Sequence, residues 1–214
     1  MAGGYLTLAA PAQIELEIKR SRFLAFLDRT ASEDAAREFI ASVRSLHPRA
    51  RHHCTAFVVG PRQELQRSND DGEPSGTAGA PMLEALVAAE LSDVSAVVVR
   101  YFGGVLLGAG GLTRAYRAAV ADAVAAAALV RREPRELLQV ELDYAQAHAL
   151  SAEAIRRGWS VETAYGEHVT ATVALPLAQV DAAEHLISNL TAGSTRGERL
   201  GVSWVDLPFS APTR

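Results

Sequence analysis

The sequence predicts an α+β protein of two domains, and three observations lead there. The chain has 214 residues, enough to bury two cores of ordinary size. Its apolar positions switch repeatedly between a period of two and a helical period. Pro134 stands between an alanine-rich helical stretch and a run that reads βαββαβ, which sets the domains at residues 1–134 and 135–214.

Gln13 to Ile18 alternates apolar and polar residues, and Phe23 to Leu27 continues the pattern after Lys19-Arg20-Ser21, so a β-hairpin is expected. Ser32 then precedes a helix whose apolar face is Ala36, Phe39, Ile40 and Val43, closing before Pro48. Thr55 to Val59 is β-branched and apolar and stops at Gly60-Pro61. From Gly60 to Ala80 the chain turns polar and glycine-rich and reads as one long loop. Pro81 opens a helix lasting until Asp93, and Val94 to Tyr101 is the most strand-like segment of the chain. Leu112 to Val130 reads as a helix ended by Pro134.

In the second domain, Leu137–Leu142, Trp159–Tyr165, His168–Leu175 and Leu200–Val205 read as strands, with helices at Gln146–Arg157, ended by Gly158, and at Gln179–Thr191. That order is the ferredoxin-like βαββαβ arrangement. Pro208 to Arg214 reads as a frayed tail.

Composition narrows the function. No apolar stretch is long enough to span a bilayer, so no membrane partner is expected. Met1 to Leu8 lacks a basic start followed by an apolar core, and a single cysteine excludes an internal disulfide framework; the expected location is cytoplasmic. The net charge is −4, with 15 basic and 15 acidic residues in 1–134 against 6 and 10 in 135–214. A nucleic acid would therefore have to meet a local arginine patch rather than a global field.

Chemistry concentrates in four segments. Gly103, Gly104, Gly108, Gly110 and Gly111 lie between a strand and a helix, where bare backbone N–H groups converge on an anion, or where glycines let the chain turn sharply and the helix approach the sheet. Arg100 and Arg114 flank this turn and Thr113 adds a hydroxyl, but the spacing matches neither a Walker A loop nor a dinucleotide fingerprint. Asp70, Asp71 and Glu73 sit in the long loop, with chemistry suited to a hard cation, to acid–base work or to pairing with arginine; a solvated, turn-rich loop has the same composition. His52 and His53 point to opposite faces of a strand and cannot share a site; Cys54 reads as an inert core thiol, and His53 is the better site candidate. Arg22 beside Phe23 suits phosphate and base, or a surface cation next to a core ring, and Tyr101-Phe102 reads first as core. These residues supply no metal-ligand set, and no metal or cofactor is expected.

Together, Lys19-Arg20-Ser21-Arg22-Phe23, Arg51-His52-His53-Cys54, Asp70 through Gly79, and Arg100-Tyr101-Phe102-Gly103-Gly104 through Gly108, Gly110, Gly111 and Leu112 resemble the YigZ/IMPACT family. The resemblance implies a first domain similar to domain 2 of ribosomal protein S5 and domain IV of elongation factor G, and a second similar to that factor's domain V. It implies a translation- or RNA-linked binding protein whose partners are RNA, the ribosome or another protein. It joins Ser21, Arg22, His53, Asp70, Asp71 and Glu73 to the glycine turn as one composite site. The competing expectation is an enzyme acting on a phosphorylated small molecule, with Asp70, Asp71 or Glu73 as metal ligand or base.

Overall fold

The computed structural model describes residues 3–209 and separates into two compact units, Met1–Arg131 with Leu207–Arg214, and Arg132–Asp206. The end of the segment expected to fray, 210–214, lies outside the described residues.

The first unit contains β1 (Tyr5–Leu8), β2 (Ala12–Ile18), β3 (Ser21–Arg29), α1 (Glu33–Leu46), β4 (His52–Val59), β5 (Leu65–Asn69), α2 (Gly79–Ala88), β6 (Val94–Tyr101) and α3 (Ala109–Ala126). Its main sheet runs β2–β3–β6–β4–β5, antiparallel throughout. Central β6 is covered on both faces, which is why Val94 to Arg100 is buried without alternation. Its Ala96 and Val98 join Phe23, Ala25, Cys54 and Ala56 beneath α2 and α3; Val97 and Val99 join Leu24 beneath Val43 and Phe39 of α1. This parity decides which face each functional side chain reaches.

The expected hairpin, the first helix and β6 form as read. Ser32 caps α1, its Oγ accepting from Ala35 N at 3.1 Å. Two expectations are corrected. The loop from Gly60 to Ala80 contains β5, a polar strand on the sheet edge, where solvent on one side removes the need for apolar residues. The alanine-rich helix begins at Ala109 and ends at Ala126, so Gly110 and Gly111 form its first turn; Pro134 lies inside the next strand rather than at a helix end.

The second unit takes β7 (Leu129–Leu142) from Arg132 onward, α4 (Tyr144–Arg157), β8 (Ser160–Tyr165), β9 (Val169–Leu175), α5 (Val180–Leu190) and β10 (Glu198–Pro208) as far as Asp206, the expected βαββαβ order. The strands lie as β10–β7–β9–β8. Pro134 precedes the β7–β9 ladder, which begins at Glu136, so its missing N–H costs that ladder nothing. A capping box between Asp143 and Gln146 starts α4, and Gly158, at φ +70°, ends it. Leu138, Leu150, Val173 and Ile187 lie in its core.

Candidate functional site

The hairpin turn, the start of β4 and the end of β6 meet at one end of the first unit's sheet: Ser21 pairs with Ile18, Arg22 with Tyr101, and His52 with Arg100. The turn is built by Lys19 and Arg20, both at positive φ (+48° and +66°), the backbone of a type I′ turn that Asn-Gly adopts more readily. Gly103 is pressed against it. A Cβ there would stand 2.0 Å from the Arg20 carbonyl carbon, and its N–H donates to Ser21 Oγ at 3.2 Å. Close approach therefore explains this glycine, and its amide is not free for an anion.

Arg100 lies on the α2/α3 face with its guanidinium 5.5 Å from the Phe23 ring and 5.7 Å from Phe102. Its Nη1 donates to Glu73 Oε1 at 2.6 Å, and Tyr116 Oη donates to the same oxygen at 2.8 Å. The acidic loop thus folds back onto the strand that leads into the glycine turn. Arg100 Nε, also buried, has no acceptor.

Asp70 and Asp71 have other occupations. The Asp70 carboxylate accepts from Gly76, Ala78 and Gly79 N at 2.8, 3.0 and 2.8 Å, closing the loop over the start of α2. Burial opposes its ionisation, but the three amides together hold its pKa below the usual aspartate value. Asp71 binds Arg44 at 2.7 Å and the His53 amide at 2.7 Å. His52 Nδ1 donates to the Asp71 carbonyl at 2.8 Å, and the His53 ring stands 3.7 Å from the Asp71 carboxylate. The two histidines occupy opposite faces, as strand alternation predicts, and each meets a different group of Asp71, which lies past the end of β5: His52 the carbonyl, His53 the carboxylate. The three carboxylates face three separate sets of partners. Among the described residues no group of three or more His, Cys, Asp or Glu is placed to hold a metal ion.

Two further expectations change. Arg22 does not converge with Arg100: it pairs with Glu15 at 2.5 Å and stands 5.8 Å over Tyr101, on the α1 face. Phe102 is 53% exposed rather than core, and Leu106, a residue unremarked in the sequence, is 83% exposed. Tyr101 bonds His47 Nδ1 through its hydroxyl at 3.0 Å. Cys54 is buried, donates to the Asp70 carbonyl, and has its pKa pushed up to about 12, chiefly by burial.

Gly108, at φ +71°, opens α3 with no side-chain cap. The N–H groups of Ala109, Gly110 and Gly111 point out of the helix start without a protein acceptor among the described residues, and the Arg114 guanidinium lies 3.6 Å from where a Gly110 Cβ would be. Thr113 sits one turn further in, half-buried. Arg51, His52, Arg100, Phe102 and Leu106 line a cleft of about 220 Å³ beside this loop. Of these, only Arg100 was a site candidate from sequence: His52 was passed over for His53, Phe102 was read as core, and Arg51 and Leu106 carried no signal of their own; the β4–β6 register, which pairs His52 with Arg100, brings their neighbourhoods together.

Residues 19–124 match the Impact N-terminal domain, and residues 140–194 match a domain of unknown function, DUF1949. The IMPACT family member YigZ of Escherichia coli is 39% identical over 89% of this chain and 95% of its own. IMPACT family member YvyE of Bacillus subtilis is 44% identical over 67% of this chain and 66% of its own. A crystal structure described as that of a hypothetical protein superposes with a TM-score of 0.63 at 37% identity, covering 92% of this chain and 97% of the other. With a relative of this similarity along nearly its whole length, the chain belongs to the YigZ/IMPACT family.

Proposed function

We propose that this protein is a non-enzymatic, cytoplasmic binding protein of translation or RNA metabolism, and that the sheet end built by Lys19, Arg20, Arg51 and Arg100 is its RNA-contacting surface. On this reading residues 1–134 form the domain similar to that of ribosomal protein S5, and residues 135–214 the ferredoxin-like one. One observation carries the proposal: exposed Lys19, Arg20, Arg51 and Arg114, which lie about the segment from Gly103 to Gly110, make no ion pair among the described residues, whereas Arg22, Arg37, Arg44, Arg62 and Arg117 are paired and, away from this segment, Arg49 and Arg67 alone of the unit's exposed arginines are not. Unpaired cations around an exposed Phe102 and an uncapped helix start are what phosphate neutralisation and base stacking require. The carboxylates that an enzyme would need for a metal or a base are engaged with backbone amides, arginines and Tyr116, which favours binding over catalysis.

Binding of a fluorescent single-stranded RNA, together with ribosome cosedimentation across a salt series, tests this. Affinity should fall steeply with salt, and Arg51→Gln should lower the slope by about 0.7, the share of one single-strand phosphate contact. Absence of both RNA binding and cosedimentation at low salt would sink the proposal.

A further inference from the structure

We propose that the cleft lined by Arg51, His52, Arg100, Phe102 and Leu106 receives one unstacked nucleotide, its base against Phe102 and its phosphate against Arg51 and Arg100. This deepens the RNA-binding reading and rests on it for the source of the nucleotide.

The cleft combines an aromatic ring, an apolar side chain and two guanidinium groups. Arg100 is nearly buried, its side chain 8% exposed, and Glu73 takes only its Nη1, so Nε faces no acceptor. Nε is too enclosed to meet a ligand in the cleft, whereas Nη2 is not enclosed and makes no hydrogen bond among the described residues, so it is the guanidinium donor left for an anionic oxygen there. Exposed Arg51 supplies a second charge to the lining. The Phe102 ring is half open to solvent with the Arg100 guanidinium 5.7 Å from its centroid, and exposed Leu106 adds an apolar group to the lining. The His52 ring is oriented by its Nδ1 bond to the Asp71 carbonyl, which leaves Nε2 as an acceptor for a ribose hydroxyl or a base amine. The volume of about 220 Å³ lies below the roughly 300–1,000 Å³ of sites that enclose a drug-sized ligand, so a nucleotide would lie in the cleft partly exposed and a duplex would not enter.

The test compares adenosine 5′-monophosphate, adenosine and a single-stranded oligoadenylate on the full chain, read by amide chemical shifts and by titration. Expected are shifts confined to 51–52, 72 and 100–106 with the monophosphate at millimolar concentration, and at least about tenfold weaker binding of adenosine. Arg51→Gln should weaken monophosphate binding about tenfold, and Phe102→Leu should weaken the monophosphate and the oligonucleotide alike. Lys19→Gln with Arg20→Gln, outside the cleft, should weaken the oligonucleotide alone. If the oligonucleotide binds while the monophosphate produces no shifts, or shifts insensitive to Arg51→Gln, the cleft proposal is overturned and the RNA reading stands. If the monophosphate binds in the cleft but no RNA does, the RNA reading fails and the pocket belongs to a free nucleotide. Silence from all three overturns both.

Discussion

Glu73 and Arg100, 27 residues apart in sequence, form an ion pair of 2.6 Å with side chains only 4% and 8% exposed. The pair fastens the acidic loop to the central strand. Whatever Arg100 offers to the cleft, it offers from a position that Glu73 holds.

Removing one partner leaves the other charged and buried, which costs about 3–5 kcal/mol in comparable pairs. Glu73→Ala should show a loss of that size in urea unfolding, and Glu73→Leu combined with Arg100→Met should lose much less than the sum of the single changes. Additive losses in the double-mutant cycle would mean that the two residues do not interact.

Asp70 predicts an acid-limb effect. Its folded pKa is lowered, so its stabilisation is fully present above the unfolded value of about 3.9 and is lost as pH falls through the lower folded value. Unfolding free energies measured from neutral pH down to about pH 2 should fall more steeply in the wild type than in Asp70→Asn. Equal slopes would contradict the three amide contacts.

Two glycines of one turn should respond in opposite directions. Gly103→Ala drives a methyl into the Arg20 backbone and should destabilise by about 1–3 kcal/mol. Gly110→Ala, in the first turn of α3 with only the Arg114 guanidinium at 3.6 Å, should stabilise by about 0.4–1 kcal/mol. Thermal unfolding of the two variants distinguishes a packing glycine from a merely permissive one.

Cys54 should resist a disulfide reagent in the native state at pH 8 and react fully once the chain is unfolded. Burial raises its pKa to about 12, so almost no thiolate exists to attack. Rapid native labelling would show that the β4 face opens.

The elements that were legible from sequence are those with a strong local cause. Val94 to Tyr101 announces itself because a strand covered on both faces needs eight residues of little polarity, and Asp143, Gln146 and Gly158 mark the ends of α4 by capping chemistry. β5 was illegible because an edge strand of Leu65-Gln66-Arg67-Ser68-Asn69 has no buried face to advertise. The helix end was misplaced because alanines continue to residue 128 and propensity alone does not say where the next strand takes over. The site was half legible. Its motifs were visible, but the separation of Arg22 from Arg100 follows from strand parity and register, and the Glu73 contact from a loop that closes over 27 residues. Strand alternation separates His52 from His53, whereas the approach of Asp71 to both depends on where the chain runs beyond β5, which no alternation encodes.

The Lys19-Arg20 turn places this protein on one side of a trade. Two long cations occupy left-handed positions for which asparagine and glycine are better suited, and Gly103 is sacrificed to a tight fit beneath them. Lys19→Asn with Arg20→Gly should therefore relieve the backbone and raise the melting temperature, by about 2–4 °C for each kcal/mol relieved, while RNA affinity drops. If the hairpin tip is the RNA contact proposed above, its two cations exchange backbone ease for charge at the point of contact.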